Sequence, residues 1–133
     1  MPGLLLDTHS AVWYLARSPR LAVNARRAIL NVIAAGHTVF VATISLVEIR
    51  YLVERARLPE DAFTTLEQAL SDPGIALEPA PLDVKVARAL SRVPRADVPD
   101  MPDRIIAATA LALNAPLVTR DARIRASVVP TVW

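Results

Sequence analysis

The chain has 133 residues, of which 53% are hydrophobic, and this composition is typical of one folded domain with a substantial core. Fifteen Lys and Arg stand against 13 Asp and Glu, so the formal net charge is only +2, and a disordered chain is excluded. The absence of cysteine excludes disulfide scaffolds, thiolate chemistry and cysteine-based zinc sites. With only two histidines in the chain, any metal ion would be bound mainly by oxygen.

No targeting or membrane-spanning segment is predicted. The longest apolar stretches are interrupted by Arg, Asp, Glu or Pro well before the roughly 20 residues that a bilayer crossing needs. The first residues, Met1–Asp7, lack the basic head and the long apolar stretch of a signal peptide. We therefore expect a soluble, cytoplasmic protein with no membrane partner.

The basic residues are biased toward arginine, since 14 of the 15 are Arg and Lys85 is the single Lys. Arginine suits planar, bidentate contact with phosphate, and a sequence pI of 9.7 is compatible with a nucleic-acid partner. The near balance of charge nevertheless argues against a protein that binds nucleic acid by charge alone.

The first half of the chain alternates between short apolar runs and longer segments of helical period. In chain order the predicted elements are a buried strand at Leu4–Leu6, helices at His9–Ala16 and Val23–Ala35, a strand at Thr38–Val41, and helices at Ile44–Arg57 and Glu60–Leu70.

The second half continues this alternation after a turn at Asp72–Gly74. Its predicted elements are a strand at Ile75–Glu78, a helix at Asp83–Leu90, an exposed proline-rich loop at Val93–Pro102, a helix at Asp103–Leu113 that Asn114 ends, a strand at Pro116–Thr119, one helical turn at Ala122–Ala126 and an edge strand at Val128–Trp133. Strands separated by helices predict an α/β domain with a central, mostly parallel, twisted sheet covered by helices on both faces.

Four acidic residues are predicted to meet at one edge of this sheet. Asp7 and Asp121 follow the first and fourth predicted strands, while Glu48 and Asp103 lie in the first turns of helices that begin at the same edge. Open α/β sheets bind ligands at the carboxyl ends of their strands. Clustered carboxylates repel one another, and a divalent cation with oxygen ligands, such as Mg²⁺ or Mn²⁺, relieves that repulsion.

Each of these acids also has a purely structural interpretation. Asp at a helix start is often only a cap, and the spacing of Ser45 and Glu48 fits a capping box in which Glu48 reaches back to a first-turn amide. Asp100 with Asp103 fits a related capping pair, and Asp121 could cap the last short helix. Helix capping does not require the four acids to lie close together. Their predicted convergence therefore favours a functional site more strongly than any one of the acids does alone.

Other polar residues lie beside the acids. The hydroxyls of Thr8, Ser45 and Thr119 could donate hydrogen bonds to carboxylates, to metal-bound water or to phosphate, or could simply cap helices. Arg104 and Arg120, next to Asp103 and Asp121, are candidate contacts for a nucleic-acid backbone, although solvated helix faces and ion pairs explain such arginines equally well. One or two ions held by the acids could ionise a water for attack on a phosphodiester.

Four segments, read in order, carry a resemblance that spans essentially the whole chain. They are LLLDTH at 4–9, SLVEI at 45–49, PDRIIAATA at 102–110 and LVTRD at 117–121, and the ending TVW at 131–133 adds to them. Together they resemble the signature blocks of PIN-domain ribonucleases, specifically the VapC-type toxins of bacterial toxin–antitoxin pairs.

This resemblance implies a PIN-like three-layer fold and a Mg²⁺- or Mn²⁺-dependent endoribonuclease that cleaves structured cellular RNA, commonly transfer or ribosomal RNA. It implies four catalytic and metal-binding acids with a hydroxyl beside the last one; on this chain these are Asp7, Glu48, Asp103 and Asp121, with Thr119. Related sequences often have an acid at Asp100, as ligand or as cap. The resemblance also implies a homodimer and a cognate VapB-type antitoxin, whose helix or extended tail would cover an apolar groove and block the acidic site.

Two alternatives stay open at this stage. A receiver-like phosphoacceptor module also places an Asp after a parallel strand, but it needs a Lys after the last strand, and Lys85 lies elsewhere. A nuclease-inactive PIN-like domain that only binds RNA or protein is the other alternative, against which the intact set of acids argues.

Overall fold

Five parallel strands form one sheet at the centre of the computed structural model, which describes residues 3–133. In chain order these strands are β1 (Gly3–Leu6), β2 (Thr38–Ala42), β3 (Leu77–Ala80), β4 (Leu117–Val118) and β5 (Thr131–Val132). They lie side by side in the order β3-β2-β1-β4-β5, and every neighbouring pair is parallel. The predicted α/β class and parallel sheet are thus confirmed.

Helices connect the strands, as the alternating pattern predicted. Within residues 3–133 they are α1 (Thr8–Leu15), α2 (Val23–Ala34), α3 (Ile44–Glu54), α4 (Asp61–Ser71), α5 (Val84–Ala89), α6 (Met101–Leu113) and α7 (Ala122–Arg125), with a 3-10 turn at Leu90–Arg92. Asn114 ends α6 in the left-handed conformation, with φ of 52°, as expected of a residue that tolerates this region. In this part of the chain no helix has the length and apolarity needed to cross a bilayer.

The central strand β1 divides the interior into two cores. Leu4 and Leu6 contact the core that contains Ile29 and Ile49, whereas Leu5 contacts the core that contains Ile106. Successive side chains of a strand point to opposite faces, so a run of three leucines suits a strand that is covered on both sides. The fold therefore has three layers, with α1–α4 on one face of the sheet and α5–α7 on the other.

The strand order creates a ligand-binding position between β1 and β4. From β1 the chain proceeds to β2 and β3 on one side, then returns to place β4 and β5 on the other side. In open α/β sheets such a reversal opens a crevice at the carboxyl ends of the strands. This order also differs from the 2-1-3-4-5 order of receiver-type folds, and Lys85 lies on α5 rather than after β4, so the receiver alternative is wrong.

Several predicted boundaries need correction, and the helix expected at Ile44–Arg57 ends at Glu54. The third strand was expected at Ile75–Glu78, but β3 lies at Leu77–Ala80 and includes Pro79. Because β3 is an edge strand, one of its sides pairs with no other strand. Proline is tolerated there, since the amide hydrogen that Pro79 lacks is not needed for pairing on that side. The helix expected to begin at Asp103 begins at Met101, since proline is tolerated in a first turn. The terminal strand, expected from Val128 to Trp133, spans only β5.

The proline-rich segment before α6 is less exposed than predicted. Val93 and Val98 are 0% and 2% exposed, and both belong to the core on the α6 side of the sheet. The segment is therefore anchored at two points, and the entrance to α6 is held against the domain.

Candidate functional site

A cavity of about 300 Å³ lies at the carboxyl edge of the sheet, where the crevice between β1 and β4 opens. Its lining residues are Asp7, His9, Trp13, Glu48, Asp100, Asp103, Arg120 and Asp121. All four acids that the sequence placed at one edge therefore meet here, and Asp100 joins them as a fifth. We call this the acidic cavity.

A second, larger cavity of about 570 Å³ lies at the opposite edge of the sheet, near Gly36 and Leu77. Its walls combine apolar side chains with the turn at Asp72–Pro73, and they bring no comparable group of carboxylates together. Volume alone would identify this cavity as the functional site, but the group of carboxylates identifies the acidic cavity instead.

Three of the five carboxylates cap helices that point at the acidic cavity. Asp7 Oδ1 accepts a hydrogen bond from the Ser10 amide at 2.9 Å, and Asp100 Oδ2 accepts one from the Asp103 amide at 3.2 Å. Asp121 Oδ1 accepts from the amides of the first turn of α7, at 2.9 and 3.0 Å. In each residue these bonds use one oxygen, so the cap orients the carboxylate and leaves the second oxygen for a ligand. The capping interpretation and the functional one are both compatible with this arrangement.

Glu48 does not form the capping box that its spacing with Ser45 suggested. The start of α3 has no side-chain cap, and Glu48 Oε1 instead accepts a hydrogen bond from the Thr8 hydroxyl on α1. The capping box is wrong because α1 packs beside α3 and offers Glu48 a donor from another element, one that the local sequence does not contain.

A chain of hydroxyls supports this contact. Thr8 Oγ1 lies 2.9 Å from Ser45 Oγ, and both residues are buried, with 2% and 0% of their surface exposed. A hydroxyl has a single proton, so Thr8, once it donates to Glu48, must accept from Ser45. The two hydroxyls therefore hold Glu48 in one orientation at the wall of the cavity.

Thr119, the hydroxyl predicted beside the last acid, acts on the backbone. It is fully buried, and its Oγ1 accepts a hydrogen bond from the Asp121 amide at 3.0 Å. This bond fixes the turn between β4 and α7, which sets the direction in which Asp121 enters the cavity.

The carboxyl of Asp103 has a strongly raised pKa. The pKa of its carboxyl is raised to about 7, first by burial and then by the negative charges of Asp100, Glu48, Asp121 and Asp7, in that order of importance. Every one of these contributions disfavours the ionised form of Asp103, and none of them comes from a neighbouring positive charge.

The tightest group of possible metal ligands is not the predicted quartet. Glu48, Asp100 and Asp103 each offer one oxygen, and these three oxygens lie within 4.8 Å of one another. Asp7 and Asp121 line the same cavity but stand outside this group. Carboxylate oxygens at this spacing suit a hard divalent cation, and they bring Asp100, a supporting residue in the sequence interpretation, into the ligand set.

The two candidate arginines have different surroundings. Arg104 donates from Nε to the carbonyl of Val93 at 2.9 Å and from its Nη2 to the carbonyl of Leu90 at 3.0 Å, so it secures the segment before α6. Arg120 lines the acidic cavity, with its guanidinium carbon 4.8 Å from the centroid of the Trp13 ring. The structure favours a structural role for Arg104 and leaves Arg120 as the arginine at the site.

Sequence reasoning did not assign His9 and Trp13 to the site. Trp13 is only 7% exposed and belongs to the core on the α1 side of the sheet, yet it also forms part of the cavity wall. Both residues lie on α1, the helix that Asp7 caps, and their i, i+4 spacing places them on the same side of it. The i, i+4 spacing of two aromatic residues directly after an acid at a strand end was the sequence feature that could have assigned them to the site.

Comparisons with known proteins show which family the chain belongs to. The model of the PIN domain family matches residues 4–127. Over its full length the chain is 32% identical to Ribonuclease VapC22 of Mycobacterium tuberculosis, and the alignment also covers all of that protein.

Solved structures of similar fold include VapBC2 from Rickettsia felis bound to a promoter DNA fragment, with a TM-score of 0.70, 22% identity, and 97% of this chain and 96% of that one covered. A toxin–antitoxin complex from Klebsiella pneumoniae has a TM-score of 0.63 at 20% identity, covering 98% and 96% of the two chains. FitAcB from Neisseria gonorrhoeae has a TM-score of 0.59 at 22% identity, covering 96% and 95%. These likenesses show a shared fold. Together with the family match and the full-length identity to a VapC protein, they establish that the chain belongs to the PIN domain family, among its VapC-type members.

Proposed function

We propose that this chain is a Mg²⁺- or Mn²⁺-dependent endoribonuclease, the toxin of a VapBC-type toxin–antitoxin pair. The observation that carries the proposal is the acidic cavity, where five carboxylates from four separate segments of the chain meet at the reversal of strand order. Family membership and the name of the full-length relative, Ribonuclease VapC22, support the same reaction class.

The residues fit a divalent metal ion, because the donors are all hard oxygens and their mutual repulsion needs a counter-charge. Glu48, Asp100 and Asp103 would hold the ion, and Asp7 and Asp121 line the same cavity beside them. When bound, such an ion supplies a more acidic water nucleophile and stabilises charge on a phosphodiester. We propose Asp7, Glu48, Asp103 and Asp121 as the catalytic acids.

The remaining residues prepare the site. Thr8 and Ser45 orient Glu48, and Thr119 sets the direction of Asp121. Asp103, with its pKa near 7 without metal, can hold a proton until a cation enters the cavity. Arg120 stands where it can contact an RNA phosphate; its position makes it a better candidate than Arg104.

The proposed partner is a cognate VapB-type antitoxin. Support comes from a groove of about 310 Å³ between α3 and α6, which shares Glu48 and Asp100 with the acidic cavity. Its apolar walls include Val47, Tyr51 and Met101, which are 51%, 58% and 67% exposed. A partner segment lying along this groove would reach the carboxylates and block them. We also propose that the chain is a cytoplasmic homodimer; light scattering after gel filtration tests the dimer.

The decisive experiment incubates purified chain with transfer and ribosomal RNA in the presence of Mg²⁺ or Mn²⁺ and maps the new RNA 5′ ends. Cleavage should depend on metal, stop in EDTA and be lost in Asp7→Asn. Mn²⁺ binding measured by calorimetry is the companion readout. RNA binding without metal binding or cleavage would instead support the nuclease-inactive PIN-like alternative, and undiminished cleavage by Asp7→Asn would overturn the assignment of the site.

A further inference from the structure

Arg120 occupies an unusual position for a long, solvent-exposed cation. Within residues 3–133 it is the only Lys or Arg that lines the acidic cavity. Its backbone is held on both sides, because Thr119 is buried in the turn after β4 and Asp121 caps α7. The side chain itself is exposed, and a free arginine would distribute over many rotamers.

The ring of Trp13 offers this side chain a fixed platform. The Arg120 guanidinium carbon lies 4.8 Å from the ring centroid, within the range of a cation–π contact. Trp13 is held in turn by the rings of His9, at 5.5 Å between centroids, and of Trp133, at 6.1 Å. With only 7% of its surface exposed, Trp13 has little freedom to move and little surface to offer an RNA base.

The type of contact matters for what Arg120 can do next. A carboxylate partner would occupy the N–H donors of the guanidinium, whereas an aromatic face attracts its positive charge without accepting those hydrogen bonds. The donors therefore stay available for a phosphate, the group that the planar fork of arginine suits best.

We propose that Trp13 is a positioning residue, which holds the Arg120 side chain over the acidic cavity so that its guanidinium contacts an RNA phosphate there. The inference rests on the proposed RNA-cleaving function and names how one of its substrate contacts is built. Trp13 acts through Arg120 and does not touch the RNA itself.

The test is a double-mutant cycle on RNA binding. All proteins carry Asp7→Asn to prevent cleavage, and the probe is a short 5′-fluorescein-labelled RNA of mixed sequence, followed by anisotropy at several salt concentrations. Arg120→Gln should weaken binding about three- to tenfold and lower the salt slope by about 0.7, the contribution of one single-strand phosphate contact. Trp13→Leu should weaken binding by a similar factor, and Trp13→Phe should retain most of it.

The coupling decides the outcome. In the Arg120→Gln background, Trp13→Leu should cause no further loss, because its effect passes through the missing guanidinium. The proposal would be overturned if Trp13→Leu weakened RNA binding as much in the Arg120→Gln background as in the parent. It would also be overturned if Trp13→Leu alone left RNA affinity unchanged. Circular dichroism and Mn²⁺ affinity check folding, and Trp13→Met replaces Trp13→Leu in the cycle if the smaller side chain does not fold.

A matched control comes from a second cation–π pair. Arg50 lies 4.2 Å from the Phe63 ring centroid, and neither residue lines the acidic cavity. Arg50→Gln should therefore leave RNA affinity within about twofold of the parent. A wild-type chain that binds RNA but fails to cleave it would overturn the proposed function, while the coupling between Trp13 and Arg120 could still be measured.

Discussion

The hydroxyl of Thr8 donates a hydrogen bond to Glu48, joining the first turn of α1 to α3 at the wall of the acidic cavity. Thr8 directly follows Asp7, so a single turn of chain after β1 supplies both an acid and the donor that orients another acid. In other metal sites, replacing a residue that orients a metal ligand typically lowers metal affinity about 10- to 100-fold.

Thr8→Val keeps the shape of this side chain and removes the hydroxyl. We expect Mn²⁺ affinity to fall about 10-fold or more, measured by calorimetry. Thr109→Val is the matched control, because Thr109 is equally buried but donates to the Ile105 carbonyl within α6. Both variants should lose about 1 kcal/mol of unfolding free energy, but only Thr8→Val should lose metal affinity; equal affinities would refute the orienting role.

Replacing aspartate by asparagine separates capping from catalysis. Asp7→Asn and Asp121→Asn keep an oxygen that can accept the helix amides and remove the negative charge. RNA cleavage should therefore fall at least about 100-fold while thermal stability changes little. Asp83→Asn is the control, since Asp83 caps α5 through the Val86 amide outside the acidic cavity and its replacement should leave cleavage unchanged.

Asp100 can be tested in the same way. If it serves as a metal ligand beside Glu48 and Asp103, Asp100→Asn should reduce Mn²⁺ affinity about 10-fold even though the cap at the start of α6 survives. Calorimetric titration measures this. Wild-type affinity in Asp100→Asn would leave the residue with its capping role alone.

The raised pKa of Asp103 predicts two dependences on pH. A cation must displace the proton, so Mn²⁺ affinity should rise about tenfold per pH unit up to about pH 7 and then level off. The metal-free folded chain also binds a proton that the unfolded chain, with an ordinary pKa of 3.8, has already lost. Its stability should therefore fall as the pH rises from about 4 to about 7.

Asp103→Asn removes this titration. Without metal the variant should melt a few degrees above wild type at pH 8, and the difference should vanish near pH 4. Added Mn²⁺ should raise the melting temperature of wild type but not of the variant. A wild-type melting temperature that increases over this pH range, relative to Asp103→Asn, would contradict the raised pKa.

Arg104 should matter for stability and not for RNA. Arg104→Gln removes two charge-assisted hydrogen bonds to the carbonyls of Leu90 and Val93, and we expect a loss of about 1–2 kcal/mol in unfolding free energy by urea titration. Folded Arg104→Gln should bind RNA as wild type does. A decrease in RNA affinity comparable to that of Arg120→Gln would restore Arg104 as an RNA contact.

The order of the residues along the chain was enough to predict the helices and strands and the position of the acids along them. Three consecutive leucines before Asp7 predicted a strand buried on both faces, and the alternation of strands and helices predicted parallel pairing. Parallel strands end at the same edge, so acids at strand ends and helix starts had to meet there. The expectation that Asp7, Glu48, Asp103 and Asp121 converge followed from that topology alone.

Which side chains face one another depends on how the helices and strands pack. Local spacing allowed Glu48 a capping box, but the packing of α1 against α3 brought Thr8 to it instead. Arg104 and Arg120 each adjoin an acid in sequence, yet Arg104 donates to backbone carbonyls and Arg120 lies over the Trp13 ring at the cavity. The reason is physical: periodicity reports which side of an element is buried, whereas hydrogen-bond partners and charge environment depend on neighbours distant in the chain.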